Sequence, residues 1–266
     1  MVMATDRSVT VFVNAAATNL VVCGLARQPV VVNAIFLATC AIPRSAPLRL
    51  RRIAAKVYHY GGIHSGCGIA AFVWYVGLMV RSSMKHAGDP KRTPAAILVL
   101  SYIGLVLLIV TIAVAYPRFR AKRHDYFELI HRFAGWLIVA LFLALLLLSA
   151  DHDRKAQNMS LGRYIIRLPA FWLLVVAISA IIHPYLLLRR VGVQSQPLSK
   201  HAVRLHFTHT TSSFGRGIQL SKHSLKDWHG FATFPDPDGQ SFSCIVSKAG
   251  DWTTDTINNP PTYLWK

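Results

Sequence analysis

Carboxylates are scarce in this sequence. Asp and Glu together number 11 in 266 residues, against 29 Lys and Arg, and only 15% of the chain is charged. A soluble domain carries about 25% charged residues, so the composition argues against an ordinary water-facing globule. Cysteine is scarce too, with Cys23, Cys40, Cys67 and Cys244 alone. No two of them have Cys-x-x-Cys spacing, so neither a zinc site nor a thiol redox pair is signalled. Three lie in apolar surroundings and read as small buried side chains. The N-terminus lacks a basic stretch and a small-residue cleavage site, so a cleaved signal is not expected. Acidic residues are almost absent from the apolar segments apart from Glu128 near an edge, which weighs against a transporter or channel.

Apolar residues are what the chain has in quantity: 53% of it, with mean hydropathy +0.38. They come in blocks without helical or strand periodicity, the pattern of segments that face lipid. Four blocks approach the ~20 residues a bilayer core needs: Tyr60 to Val80, Pro94 to Tyr116, Leu129 to Ala150, and Leu168 to Leu188. A longer one, Val9 to Ile42, is interrupted by Arg27-Gln28-Pro29. Proline breaks a helix and arginine is costly at mid-bilayer, so two short spans in a hairpin are expected there, with one span plus an interfacial helix as the alternative. The expected fold is a polytopic α-helical membrane bundle of about six spans, followed by a β-rich tail. Residues 1–43 form the N-terminal hydrophobic region, 44–190 the four-span core and 197–266 the soluble segment.

The net charge of +18 could signal nucleic acid. The basic residues flank apolar spans and form no basic domain, so a lipid bilayer is the expected partner and nucleic acid is not. Three basic stretches fall on one side if the spans alternate: Arg44 to Arg52, Arg118 to Arg123, and Arg189-Arg190. That side reads as cytoplasmic. Arg81, Lys85, Lys91 and Arg92 weaken the bias on the other side, where Asn158-Met159-Ser160 forms a glycosylation sequon.

After Arg190 the pattern changes. Val203 to Phe207 alternates like a half-buried strand, and Ile218 to Ser221, Gly230 to Phe234 and Phe242 to Ser247 read as further strands. Gly215-Arg216-Gly217 reads as a turn, and Pro235 to Gly239 as a loop. The final Pro260 to Lys266 does not look like a natural end, so a continuation is expected.

Histidines inside spans are costly unless used. His64 and His131 each sit just inside the cytoplasmic end of a span, at matched depth. Neutral imidazoles on two facing helices are what bis-histidine haem ligation needs. Gly62, Gly66 and Gly68 would let a flat macrocycle approach the backbone. The same residues also suit plain helix packing, the histidines as hydrogen-bonding groups and the glycines as a small-residue face. His59, His124 and His183 lie near the same face as competing ligands or interfacial residues.

The tail carries a more specific pattern. Trp228-His229-Gly230-Phe231-Ala232-Thr233-Phe234-Pro235 is followed by a strand leading to Gly250-Asp251-Trp252-Thr253. In order and spacing this resembles the ferric reductase and NADPH oxidase superfamily, whose six membrane helices precede a flavin-binding barrel with a His-Pro-Phe-Ser/Thr motif. Phe127-Glu128 ahead of His131 is similar to the superfamily's fifth helix. The resemblance extends from about Asn19 onward. It is nearest to fungal ferric-reductase-like membrane flavoproteins implicated in conidiation signalling, a region also fused to some fungal adenylating enzymes.

That resemblance implies a partial antiparallel β-barrel of the flavin-binding reductase type and an FAD held by His229 at its edge, Phe231 as its wall, Thr233 as a nearby hydroxyl and Gly250 at its phosphate. It implies a haem b on His64 and His131, and electron transfer from cytosolic flavin through the inner-leaflet haem to an acceptor. Three departures stand against this. Gly230 and Ala232 replace the motif's proline and hydroxyl. The positions one pair-spacing, about four helical turns, beyond the two histidines hold Gly77-Leu78 and Ala144-Leu145, which removes an outer haem. No Gly-rich phosphate loop follows Thr253, so NADPH is expected only with a downstream nucleotide-binding domain. The rival expectation is a non-catalytic, degenerate reductase acting as an anchor or signalling component.

Overall fold

The computed structural model describes residues 7–59, 61–213, 216–237 and 239–266, with the side chains of Arg7, Ser8, Tyr58 and His59 left aside. The expected turn at Gly215 and the loop residue Asp238 therefore lie outside the described residues, as does the side chain of His59. The chain divides into two compact units that meet at Tyr185 and Leu186.

The first unit is helical. Helix α1 (Arg7–Leu25) is followed by α2 (Pro29–Cys40), and the two are bent by 72° at the Arg27-Gln28-Pro29 break. Proline suits the first turn of α2, and Gln28 caps it by accepting from the Val31 N–H at 3.0 Å. The 12 residues of α2 reach about 18 Å at 1.5 Å per residue, short of the ~30 Å hydrocarbon core. The expected two-span hairpin is thus a bent helix pair. Short α3 (Leu48–Ala55) and a 3₁₀ turn (Lys56–His59) lead into α4 (Gly61–Gly88). Then come α5 (Ala95–Val114), α6 (Pro117–Lys122), α7 (His124–Lys155), α8 (Leu161–Ile165) and α9 (Pro169–Leu186). Among the described residues four helices, α4, α5, α7 and α9, are long and apolar enough to cross a membrane, or five counting the bent pair as one, where about six were expected.

Close contacts fix these helices. A Cβ on Gly77 would come within 2.6 Å of the Phe12 ring, where α1 crosses α4. Gly104 of α5 lies under Tyr75 of α4, whose hydroxyl donates to the Ser101 carbonyl at 2.9 Å. Tyr75, Met79, Leu108 and Ile138 form a buried cluster joined by Phe72, Leu78 and Phe142. Much of the remaining apolar surface faces outward, as at Val73, Val106 and Leu137. The sequon residue Asn158 has φ +49°, the left-handed region that Asn enters more readily than most residues.

The second unit is antiparallel. Strands β2 (Gln194–Ser199), β3 (Ala202–Phe207), β4 (Gly217–Leu220), β5 (His229–Pro235) and β6 (Phe242–Ser247) form one sheet in the order β2-β3-β6-β5-β4. β1 (Arg190–Gly192) pairs with β7 (Tyr263–Trp265) as a separate ribbon. A bridge between Ser221 and Trp265 attaches the ribbon beyond β4, and the Val193 N–H reaches the Thr262 carbonyl at 2.8 Å. The ladders make an open sheet plus ribbon, not the expected barrel. Alternation on β3 buries Val203, Leu205 and Phe207, and Phe207 stacks on Phe242 at 4.9 Å. Helix α10 (Asp251–Asn258) packs on this core through Trp252 and Ile257.

Asp236 pins the β5–β6 turn. Its carboxylate accepts from Ser241 Oγ (3.0 Å), Ser243 Oγ (3.1 Å) and His206 Nδ1 (3.2 Å). Gly239 takes φ +66° in that turn, where a side chain would be strained. Burial pushes the Asp236 pKa up, and the three hydrogen bonds more than offset this, leaving it below the ordinary carboxylate range. A depressed carboxylate stabilises the fold above its unfolded pKa, about 4, and that stabilisation is lost as pH falls through the folded value. Asp236→Ala is expected to cost about 2 kcal/mol by stranding its donors. The readout is thiol labelling of Cys244, which is fully buried on β6 with its pKa pushed up to about 12 by burial. With the other three cysteines replaced, labelling at neutral pH should quicken roughly thirtyfold. As pH falls below about 4 the parent should lose stability and the variant should lose less, read by denaturant unfolding at each pH.

Candidate functional site

The first constellation joins α4 and α7. Both helices run the same way, and each starts a turn or two before its histidine. The His64 and His131 rings lie 6.0 Å apart, centre to centre, inclined at 56°. At that spacing His64 and His131 would be able to hold one metal ion between them.

The hydrogen bonds set the chemistry of this pair. His64 Nδ1 lies 2.9 Å from the Cys23 carbonyl oxygen, and His131 Nδ1 lies 3.3 Å from that of Thr111. A carbonyl can only accept, so each Nδ1 carries the proton and each Nε2 keeps its lone pair. That is the second-shell arrangement found around metal-ligating histidines. Cys23 Sγ sits 3.2 Å from His64 Nδ1, and the Phe127 ring flanks His131 at 5.2 Å. A Cβ on Gly62 or Gly66 would meet nothing within 4 Å, so the backbone beside His64 is open. Gly68 differs: its Cβ would meet Cys23 Sγ at 3.6 Å, so it serves the packing of α1 on α4. The donor set and the open glycines fit a haem.

The competing histidines separate on the same grounds. Gln28 Oε1 is used on the Val31 N–H, so Gln28 Nε2 donates to His183 Nδ1 at 3.2 Å. The proton of a neutral His183 then sits on Nε2, the opposite tautomer to His64 and His131. His124 is exposed at the start of α7. The place of an outer ligand pair is filled: Gly77 faces the Phe12 ring, Leu145 is buried, and the Tyr75–Ile138 cluster occupies the same stretch of the bundle.

The second constellation lies within the β unit. His229, Phe231 and Thr233 alternate along β5 and share its inner face. Twenty residues on in sequence, Trp252 comes back to stack on two of them, at 4.4 Å from His229 and 5.7 Å from Phe231, with planes inclined by 28° and 27°. Asp227 Oδ2 holds His229 Nε2 at 2.8 Å. Lys222 Nζ lies 5.7 Å from the Trp252 ring centre and pairs with Asp255. Thr233 is buried, donates to the Arg216 carbonyl at 2.9 Å and bonds Ser212 Oγ at 2.7 Å, so its hydroxyl is structural.

Gly250-Asp251-Trp252-Thr253 starts helix α10 and does not end a strand. The cause is Thr253, whose Oγ1 accepts from the N–H groups of Ala249 (2.8 Å) and Gly250 (2.9 Å). Two further features mark this motif. Trp252 Nε1 is buried without a hydrogen-bond partner, where an indole N–H ordinarily finds one. A Cβ on Gly250 would point into open space, nothing lying within 4 Å. Trp252 already covers His229 and Phe231, so a flavin ring would fit this aromatic group only by stacking on its outer side or taking the place of Trp252.

This chain matches fungal adenylate-forming reductases. Two proteins of that name from Coprinopsis cinerea are each 40% identical to it, over 242 and 243 residues. Each match covers 91% of this chain but 23% of the relative, so the chain spans about a quarter of the length of the curated relatives it matches. No family model matches it.

Sequence reasoning missed several residues at these sites. The carbonyl partners Cys23 and Thr111 have no signal in a sequence, since any residue type supplies a carbonyl. Trp252 stood inside the quoted motif, and its aromatic character was the available clue. Asp227, two residues before His229, could have been found as an acid placed to orient an imidazole.

Proposed function

We propose that the chain is a membrane oxidoreductase module of the ferric-reductase type. Its apolar helices cross a lipid bilayer with the basic stretches on the cytoplasmic side, and the chain after Leu186 begins on that side. The observation that carries the reading is the His64–His131 pair: ring centres 6.0 Å apart, and both Nδ1 protons committed to carbonyls. His64 and His131 would hold haem b, which supplies one-electron transfer when bound. The carbonyls of Cys23 and Thr111 fix the tautomer and raise the basicity of the ligating nitrogens.

In the β unit, Phe231, His229 and Trp252 would hold a flavin ring, with Gly250 opening the backbone to its phosphate. A flavin supplies the step from hydride to single electrons. The Ala249 and Gly250 N–H groups now end on Thr253 Oγ1, and a phosphate would compete with that hydroxyl. The reading of the β unit as a flavin-binding module rests on the motif order and on the stacked motif residues. The name and length of the matched relatives support an adenylating region as a partner, and the electron-transfer reading itself requires a nucleotide-binding domain that delivers NADPH-derived hydride.

The test is the cofactor content of the chain purified in detergent. A haem Soret band and flavin fluorescence on denaturation are expected, and absence of either removes that half of the reading. A second reading, a non-catalytic membrane anchor or signalling component, is favoured by one observation: the space beyond His64 and His131 is a packed apolar cluster that leaves no outer haem site. An unchanged phenotype of His64→Ala in the cell would support it against the redox reading.

A further inference from the structure

We propose that α3 lies in the membrane plane and binds the phosphate headgroups of anionic phospholipids. The proposal rests on the membrane reading above and adds a lipid partner to it. Four observations converge. First, no carboxylate occurs between Asp6 and Asp89, so the cations of α3 have no acid nearby in sequence. Second, at 3.6 residues per turn Arg49, Arg52 and Lys56 fall on one helical stripe. Leu48 and Ile53 border that stripe, and the five residues line one surface depression. Third, Leu48, Leu50 and Ile53 are about half exposed, at 51%, 46% and 56%. Fourth, Arg51 Nε donates to the Ala46 carbonyl at 3.1 Å, whereas among the described residues no carboxylate pairs with Arg49, Arg52 or Lys56.

The placement agrees with this chemistry. α3 follows α2 and leads through the 3₁₀ turn into α4 just ahead of His64, which places it next to the end of α4 that carries that histidine. Its 8 residues are too few and too charged to cross a bilayer. In water its apolar side would stay exposed, whereas a leaflet surface accommodates both characters: apolar side chains in the acyl boundary, guanidinium forks and an ammonium on phosphate oxygens. The summed positive charge favours an anionic headgroup over a zwitterionic one.

The test uses the full chain purified in neutral detergent and titrated with phosphatidylserine or phosphatidylcholine, with bound lipid counted by native mass spectrometry. The parent chain should retain phosphatidylserine and little phosphatidylcholine. The variant R49Q/R52Q/K56Q should lose about tenfold or more of the phosphatidylserine signal. A matched variant at the other bundle end, R81Q/K85Q/R92Q, should keep it. Retention by R49Q/R52Q/K56Q, or equal binding of both lipids by the parent, overturns the proposal. Carbonate extraction of the same membranes reads the underlying assumption separately, because a parent chain released by carbonate defeats the membrane reading itself. Should the triple variant be released while the parent is not, R52Q alone is titrated, and undiminished phosphatidylserine binding there overturns the proposal as well.

Discussion

His64→Ala yields a protein without haem. Among the described residues neither competing histidine replaces it, because His183 carries its proton on Nε2 through its bond from Gln28 and His124 is exposed at the helix start. The ratio of Soret absorbance to protein should fall by an order of magnitude or more, and His131→Ala should do the same. His183→Ala is the matched control: it removes a histidine of the same bundle and should leave the ratio unchanged. The contrast matters because all three sites are partly buried, so a general loosening of the bundle would affect all three variants alike. Equal loss in the three would point to folding and not to ligation.

Gly250→Val separates the flavin from the fold. Gly250 has φ −168° and ψ −169°, extended backbone that any residue adopts, and its Cβ direction is open. The substitution keeps the backbone conformation at the cost of a poorer cap for α10, and Cys244 labelling measures that cost separately from flavin content. The substitution also fills the space through which a phosphate would reach the Ala249 and Gly250 amides. Flavin released on denaturation should drop at least tenfold, equivalent to about 1.4 kcal/mol of binding. Flavin content equal to the parent's would move the phosphate away from Gly250.

The helices were legible because lipid-compatible segments announce themselves by length and by the absence of charge. The bend at Arg27-Gln28-Pro29 was legible as a break, but its geometry depends on Gln28 capping α2 and contacting His183, a partner 155 residues away. Strands β3 to β6 matched their expected places because Val203, Leu205 and Phe207 alternate and Phe242 to Val246 is apolar. β2 escaped notice because Gln194 to Ser199 is polar, with all six residues partly or fully exposed. β7 is three residues long, and its place is set by pairing with β1, 73 residues earlier at the Val191–Leu264 register. The helix that starts at Gly-Asp-Trp-Thr was not read from the sequence, and its cause is local: one hydroxyl on Thr253 collects two backbone amides and turns the chain into a helix. For the His64–His131 pair the matched depth could be read from span order, whereas the tautomers could not, because backbone carbonyls set them.

The most direct measurement is the electron paramagnetic resonance spectrum of the ferric protein in detergent. Two trans imidazoles on one iron give a low-spin signal, and the account predicts it for the parent chain with its loss in both His64→Ala and His131→Ala. A high-spin signal in the parent would mean that one of the two histidines is not a ligand. No ferric signal in a chain that extracts only with detergent would contradict the haem, and with it the electron-transfer reading of the His64–His131 pair.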